Sequence, residues 1–326
     1  SSSSRLKPFL KWLFWLKSGS FFKPWAILIL LSLVVFIYFY VFRGLPSPSS
    51  LTSQPVPLTT HIRDRSGTTL YKLYKNQNRT LVKLSDMPLN LRQATIAIED
   101  KQFYYHTGFS TSGTLRALWR TLTRQQIEGG STITQQLVKT ALLSPERTLQ
   151  RKVRELVLAI EVETMYSKDQ ILEMYLNRVS YGGAAYGVEE ASQTYFNKKV
   201  SELTLAQAAL LAGLPASPTT YSPFGSRPTL AKERQKEVLR RMTEDKYITW
   251  DQAREASEEE LKFTSPNIDI KAPHFVMYIR ELLAQRYGSD VVEQGGLDVT
   301  TSLDLSLQEQ VQEIVTTETA KVAYLR

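Results

Sequence analysis

The chain reads EDKQFYYHTG at residues 99–108 and GGSTITQQ at residues 129–136, and these two stretches decide its expected fold and chemistry. In the first, the carboxylate of Glu99 follows an apolar run that ends at Ile98. In the second, a glycine pair precedes hydroxyl side chains where the pattern predicts the start of a helix. A carboxylate in an apolar setting and backbone N–H groups at a helix start are typical of an acid–base site beside an anion-binding site.

Each stretch also has a purely structural interpretation. Glu99 could be an exposed acid at the end of a helix, which is the commoner place for a glutamate. Thr132 and Gln135 fit a capping box, so the second stretch could be a well-capped helix that follows a turn. The residues alone leave both alternatives open. A P-loop is excluded, because the Gly-Lys-Ser/Thr ending is absent.

A third motif lies downstream of these two. Arg147, Arg151 and Glu155 are spaced i, i+4 and i+8, so that on a helix they share one face. Lys152 is adjacent and Lys139 lies upstream. Two guanidinium groups and a carboxylate in line suit a diphosphate, bound directly or through a metal ion held by Glu155. The alternative is a surface Arg–Glu pair worth only about 0.3–0.5 kcal/mol.

The N-terminal part of the chain predicts a membrane span. The 19 residues from Pro24 to Phe42 carry no charge, and as a helix they would extend roughly 28 Å, about the thickness of a bilayer core. A cleaved signal peptide is the alternative, but its apolar core is normally about 7–15 residues long. The length therefore favours an uncleaved span over residues 24–42, preceded by a basic segment at residues 1–23.

Charge sets the expected orientation of this span. Residues 1–23 hold five basic residues and no acidic residue, and no charged side chain occurs between Arg43 and Arg63. The positive-inside rule predicts a cytoplasmic N-terminus and an external position for everything after the span. Six basic residues up to Arg43 account for most of the net charge of +8, because the remaining 34 basic and 32 acidic residues leave only +2. We expect no nucleic-acid partner, since no basic patch is interleaved with aromatic residues.

Two residue types limit the possible chemistry. The chain has no cysteine, which excludes disulfides, thiolate metal sites and a cysteine nucleophile. The three histidines, at positions 61, 106 and 274, have no ligand spacing, so we expect no histidine metal site. His106 is expected to pack against or orient a neighbour rather than to act as a base.

The pattern along the chain predicts a helical domain. A linker with short strands is expected over residues 43–80, the main domain over 81–245, and a further linker with the start of another domain over 246–326. The predicted strands include residues 68–74, and the predicted helices of the tail include residues 273–287. The helices predicted for the main domain cover residues 115–124, 133–143, 149–166, 168–177, 187–196, 204–212 and 229–243.

Taken together, the motifs resemble the peptidoglycan glycosyltransferase domain of class A penicillin-binding proteins and monofunctional transglycosylases. The resemblance covers about residues 81–242 and includes SPERTLxRKxxE at 144–155, ILExYLN at 171–177 and AALLAGLP at 208–215. It implies a mainly α, lysozyme-like fold, with a small membrane-dipping jaw after Gly108 and a single transmembrane helix before the domain. The jaw would present Phe109, Leu115, Leu118, Trp119 and Leu122 to lipid. Ser110 departs from the family, which commonly has Asp there.

The resemblance also implies a reaction, the polymerisation of lipid II into glycan strands. By this analogy Glu99 deprotonates the acceptor 4-hydroxyl, which attacks the growing chain with inversion, and Glu155 assists the leaving diphosphate, with Mg²⁺ or Mn²⁺ as the expected cation. No organic cofactor is expected. The remaining residues that the resemblance assigns to substrate binding are Asp100, Phe103, His106, Gly130, Ser131, Thr132, Gln135, Gln136, Lys139, Arg147, Arg151 and Lys152.

The tail and the setting of the enzyme complete the expectations. The stretch GGLDVTTSLD at 295–304 resembles the linker into a transpeptidase domain, and we expect this chain to be truncated before that domain. The expected partners are lipid II, the growing glycan strand, the bacterial cytoplasmic membrane and proteins of a cell-wall synthesis complex. Two alternatives remain, namely a lysozyme-like enzyme that cleaves glycan, which would need no cluster of cations for a diphosphate, and a non-catalytic cell-wall scaffold.

Overall fold

The computed structural model describes residues 22–53, 56–109, 131–144, 146, 148–225, 227–264 and 270–323. It is mainly helical, which confirms the predicted fold class, and a single helical turn at Ser50–Ser53 precedes the first strand. The strands are β1 Thr60–Arg63, β2 Thr69–Leu73, β3 Ser180–Gly182, β4 Ala185–Tyr186 and β5 Asp298–Thr300. The longer helices are α1 Phe22–Phe42, α2 Leu89–Glu99, α3 Ile133–Ala141, α4 Leu149–Met165, α5 Lys168–Leu176, α6 Val188–Phe196, α7 Leu205–Gly213, α8 Thr229–Glu244, α9 Trp250–Glu258, α10 Pro273–Tyr287, α11 Ser289–Gln294 and α12 Leu305–Ala323.

The chain forms two compact units, of which the first contains residues 1–47 and 146–154. Within it, residues 25–42 of α1 are long and apolar enough to cross a membrane, with a mean hydropathy of 2.6. The last carbonyl groups of α1 have no partner within the helix. Arg154 Nε donates to the carbonyl of Val41 at 2.8 Å, and Gln150 donates to the carbonyl of Tyr40. A cation at this end also complements the helix dipole.

The second unit contains residues 48–145 and 155–326, and α2 belongs to its helical core. Helix α2 packs against α7 and α8, and these two helices pack against each other. Small side chains line the contact on α2 and α7, so the helix axes approach closely. The buried residues of this cluster include Ala94, Ala97, Ile98, Ala206, Ala209, Ala212, Val238, Leu239 and Met242. Because Glu99 is the last residue of α2, this packing fixes where its carboxylate lies.

A small sheet joins the two ends of the second unit. Its strand order is β2-β1-β5, with β1 antiparallel to β2 and parallel to β5. The side chains of Ile62, Leu70, Val276 and Val292 form its core, together with Leu73 and Leu305. The sequence assigned these strands to separate segments, 43–80 and 246–326. The structure joins them, because the pairing of His61 with Asp298 spans most of the chain.

A buried ion pair fixes this sheet to the helices. The carboxylate of Glu190, on α6, is almost fully buried and accepts from Lys72 Nζ at 2.7 Å and from Thr80 Oγ1 at 2.6 Å. A buried carboxylate needs such partners, since an unpaired charge would be strongly destabilising.

The helices follow their predicted extents closely. Four of the helices predicted for the main domain correspond to α4, α5, α6 and α7. Their observed ends lie within one residue of the predicted ends. The observed α10 has the predicted bounds, residues 273–287. The predicted helix at residues 115–124 and the jaw residues after Phe109 lie outside the described residues.

Candidate active site

The carboxylate of Glu99 has two unlike oxygens. Oε2 accepts a hydrogen bond from Gln136 Nε2 at 2.7 Å. Oε1 is buried and has no hydrogen-bond partner among the residues that the structure describes. Burial raises the pKa of Glu99 above its usual value, although the bond from Gln136 and nearby cations oppose this effect. A raised pKa makes this carboxylate a stronger base than an ordinary glutamate, and Oε1 is the atom at which it could accept a proton, as a general base must.

Gln136 links Glu99 to a buried tyrosine. The Tyr175 hydroxyl donates to Gln136 Oε1 at 3.3 Å, while Nε2 of the same amide donates to Glu99. Tyr175 lies on α5 and is 1% exposed. Helices α3 and α5 pack against each other, which places the amide between the tyrosine and the carboxylate. Burial and the charge of Glu99 raise the pKa of Tyr175 well above its usual value, so its hydroxyl stays protonated.

Three cations lower the pKa of Glu99, although less than burial raises it. They are Lys139 on α3 and Arg234 and Arg241 on α8. Arg241 also donates to the carbonyl of Ile98 at 3.2 Å, directly beside the Glu99 position. The sequence analysis named Lys139 but missed both arginines. Both arginines flank the buried face of α8 and are only half-buried, so the helical spacing alone does not separate them from the other charged residues of this helix.

Asp100 and His106 form a buried pair next to this site. His106 Nε2 lies 2.9–3.0 Å from the two Asp100 carboxylate oxygens, and the backbone N–H of Gly108 donates to Nδ1 at 3.2 Å. Because Nδ1 accepts, the ring proton lies on Nε2 and is donated to Asp100. Asp100 Oδ2 also accepts from the backbone N–H of Ile133 at 3.0 Å. The pair therefore connects the end of α2 to the start of α3, in line with the expectation that His106 orients a neighbour.

Phe103 is fully buried and packs at the edge of this pair. Its ring makes an edge contact with His106, and Lys168 Nζ lies 4.6 Å from the ring centre. The same ammonium group donates to the carbonyl of His106 at 2.6 Å and pairs with Glu163 at 2.7 Å. Glu163 also accepts from Thr134 on α3. These contacts give Phe103 a structural role, and the binding of substrate by Asp100, Phe103 and His106 stays a prediction.

The start of α3 is a complete capping box, which confirms the structural interpretation of this stretch. Thr132 Oγ1 accepts from the backbone N–H of Gln135 at 3.2 Å, and Gln135 Oε1 accepts from the N–H of Thr132 at 3.1 Å. The Asp100 carboxylate accepts from the N–H of Ile133. Two N–H groups in the first turn of α3, those of Ile133 and Gln135, therefore already have acceptors in the protein. Substrate binding by Ser131, Thr132 and Gln135 stays a prediction, and Gly130 lies outside the described residues.

Gly108 is required by the close approach of two backbones. Its φ is +89°, and a Cβ atom at this position would lie 2.8 Å from the carbonyl oxygen of Ala159 on α4. Thr132 Oγ1 donates to the carbonyl of Gly108 at 2.8 Å. The glycine therefore lets one loop contact α4 and the cap of α3 together.

Glu155 lies on the buried face of α4, with Ala159 and Val162 at i+4 and i+7. It is 1% exposed. Arg151 and Lys152 occupy the first turn of the same helix, and Arg147 lies outside the described residues. The assignment of these cations to the diphosphate, and of Glu155 to the leaving group, stays a prediction.

The described residues do not form a dedicated metal site. No group of three or more His, Asp or Glu side chains comes together among them. Mg²⁺ needs only one or two protein carboxylates when substrate phosphates supply other ligands. The donor set therefore fits a cation only as part of a diphosphate complex at Glu155.

Comparison with known proteins decides the family. A profile of the family described as "Transglycosylase" matches residues 66–243, more than half of the chain. The chain belongs to the transglycosylase family. This match confirms the resemblance drawn from the sequence, and it contains Glu99, Gln136, Lys139 and Glu155.

Relatives with curated names agree with this assignment. The chain is 37% identical over 288 residues to Penicillin-binding protein 1A of Rickettsia bellii, covering 86% of this chain and 36% of that protein. It is 42% identical over 274 residues to Penicillin-binding protein 1A of Neisseria lactamica, covering 82% and 34%. The crystal structure of Penicillin-binding protein 1A from Haemophilus influenzae is similar at 25% identity and a TM-score of 0.44, covering 79% of this chain and 28% of that one.

The matches define what part of these relatives the chain represents. The chain spans just over a third of the length of the curated relatives named above. Together with the apolar helix α1, they identify a membrane-anchored protein.

Proposed function

We propose that this chain is a peptidoglycan glycosyltransferase that polymerises lipid II into glycan strands. One observation supports this most directly, namely the buried Oε1 of Glu99, which has no hydrogen-bond partner among the described residues, on a carboxyl group whose pKa is raised by burial. The transglycosylase match supplies the reaction class. Lys139, which lies close enough to lower the pKa of Glu99, supplies positive charge beside the base.

Glu99 acts on the acceptor sugar. Its Oε1 takes the proton of the acceptor 4-hydroxyl while the hydroxyl oxygen bonds to the anomeric carbon of the growing chain. The bond from that carbon to the diphosphate oxygen breaks with inversion, and its electron pair leaves with the diphosphate. Removal of the proton during attack is the part of the reaction that a general base accelerates, typically by 10²- to 10⁴-fold.

Cations compensate the charge that develops on the leaving diphosphate. Lys139 serves this role from α3, and we assign Arg147, Arg151 and Lys152 to the same role from the sequence motif. Cations placed before the reaction begins stabilise such charge without reorganising in the transition state. Glu155 would hold Mg²⁺ or Mn²⁺, whose chemistry is to neutralise the diphosphate oxygens. Chelation of divalent cations is then expected to slow polymerisation, and added Mg²⁺ to restore it.

The substrate explains the membrane anchor. Lipid II carries its diphosphate at the bilayer surface, and α1 would keep the catalytic domain at that surface. We propose that the N-terminus is cytoplasmic and the catalytic domain extracytoplasmic, because residues 1–23 hold basic residues and no acidic residue. Proteins of a cell-wall synthesis complex are the proposed protein partners.

The test is a product assay with detergent-solubilised protein. Labelled lipid II is incubated with Mg²⁺ and the products are resolved by gel electrophoresis, while a parallel sample receives intact cell-wall sacculi. A ladder of long glycans, with no sugar released from sacculi, is the expected result. Release of glycan fragments would instead support the lysozyme-like alternative. Folded protein with neither activity would support the scaffold.

A further inference from the structure

The hydrogen bonds around Gln136 give its amide one preferred orientation. The carbonyl end faces the Tyr175 hydroxyl at 3.3 Å, and the NH₂ end faces Glu99 Oε2 at 2.7 Å. If the amide turned over, its carbonyl oxygen would face the carboxylate, and two acceptors would meet unless Glu99 were protonated. The tyrosine hydroxyl would then have to accept from the NH₂ group, and its own proton would lose the acceptor that it has now.

The cost of that lost acceptor is high at this position. Tyr175 is 1% exposed, and Gln136 is the only side-chain partner that the described residues give its hydroxyl. A buried donor without an acceptor is destabilising, because it loses its hydrogen bonds to water and gains none in the protein. Tyr175 therefore favours the amide orientation in which Gln136 donates to an ionised Glu99.

We propose that Tyr175 and Gln136 are positioning residues that hold Glu99 by Oε2 and leave Oε1 free for the proton of the acceptor hydroxyl. This inference rests on the proposed function. It deepens that function by adding Tyr175, which touches neither the base nor the substrate directly, and it gives Gln136 a role through Glu99.

The effects of the surrounding groups on the pKa values of Glu99 and Tyr175 agree with this proposal. Gln136 lowers the pKa of Glu99 by stabilising the ionised form, against the larger effect of burial. Glu99 in turn helps to raise the pKa of Tyr175, which keeps this hydroxyl a donor. The other groups that face Glu99 stay in place in the variants below; they are Lys139 on α3, Arg234 and Arg241 on α8, and Tyr181 on β3.

The test compares two buried tyrosines. Tyr175→Phe removes only the hydroxyl that orients Gln136. Tyr195→Phe is the matched control, because its hydroxyl is also buried and donates to the carbonyl of Tyr181 at 2.8 Å. Initial rates with labelled lipid II are measured across pH for both variants. Tyr175→Phe is expected to lower kcat about five- to tenfold with little change in KM, since one hydrogen bond is worth about 1 kcal/mol.

The pH profile separates positioning from general destabilisation. Without the hydroxyl, the Gln136 amide can turn its carbonyl towards a protonated Glu99. The acidic limb of the pH–rate profile should therefore move to higher pH by roughly half a pH unit to one pH unit. Tyr195→Phe should leave the limb in place. In a Gln136→Met background, Tyr175→Phe should have no further effect on the limb, because the two residues act through one contact.

A second readout does not depend on activity. Infrared difference spectra follow the protonated carboxyl band of Glu99 across pH, identified by its loss in Glu99→Gln. Tyr175→Phe should shift this titration upward, and an unchanged titration would overturn the inference even if no polymer forms. Wild-type protein that makes no polymer would refute the proposed function alone. An equal shift in Tyr195→Phe would also overturn the inference, because the effect would then be unspecific.

Discussion

Gly108→Ala is an informative perturbation of the site, because the structure allows its loss of stability to be worked out and offers a matched control variant. At φ +89° an alanine is strained by about 1–2 kcal/mol. Its Cβ would also lie 2.8 Å from the Ala159 oxygen and 2.9 Å from the carbonyl carbon. These are backbone atoms of a helix, so the conflict costs a further 1–3 kcal/mol, roughly the penalty of overpacking. The expected total loss of stability is about 2–5 kcal/mol.

Gly67→Ala separates the two contributions. Gly67 has φ +92°, but a Cβ there would meet nothing within 4 Å. Its expected cost is therefore the strain alone, about 1–2 kcal/mol. Thermal unfolding of the full chain in detergent, followed by circular dichroism, measures both variants. Gly108→Ala should be the less stable variant by about 1–3 kcal/mol, and it alone should lose polymerising activity. Equal losses of stability would refute the reasoning that the loop after His106 must contact α4.

Other predictions test the charges around the site. Glu99→Gln should be more stable than wild type at pH 8, and the difference in the free energy of unfolding should shrink towards pH 4. Burial raises the folded-state pKa of Glu99, so the wild-type protein loses stability as pH rises from the ordinary glutamate pKa through that raised pKa. Melting curves at several pH values check this, and a constant difference would contradict it. Lys168→Met should cost about 3 kcal/mol, because it leaves the buried Glu163 carboxylate without its cationic partner. Lys321→Met, at an exposed pair, should cost less than about 1 kcal/mol in the same unfolding assay. Arg241→Gln should move the acidic limb of the rate profile upward, since Arg241 lowers the pKa of Glu99; a downward shift would show that the arginine acts otherwise.

Much of the helical framework could be predicted from the sequence, because its signals are local. Apolar residues at helical spacing predicted the helices from α4 to α8, and the pattern at Thr132 and Gln135 predicted the capping box. The apolar run directly before Glu99 is also a local signal, and it marked this residue as a candidate whose catalytic role stays a prediction. Local signals are reliable here because each helix buries one face of its own periodic pattern.

The contacts between distant residues could not be predicted in the same way. The two hydrogen bonds that connect Tyr175 through Gln136 to Glu99 join three helices, and no spacing in the sequence predicts them. The hydrogen bond from the Ile133 N–H to Asp100 joins residues 33 positions apart, and no local pattern predicts it. Nothing in the sequence of the helix at residues 229–243 distinguishes Arg234 and Arg241 from its other charged residues. Their nearness to Glu99 follows from the packing of α8 on α2, a tertiary contact between residues far apart in sequence.

The role of Glu99 as the base is the central claim, and one kinetic comparison tests it most directly. The rate of glycan formation from saturating lipid II is measured for wild type, Glu99→Gln and Glu255→Gln, the last altering an exposed glutamate on α9. We predict that Glu99→Gln loses at least about 100-fold in kcat while staying folded, and that Glu255→Gln matches wild type. A folded Glu99→Gln variant that polymerises within about threefold of the wild-type rate would contradict the account.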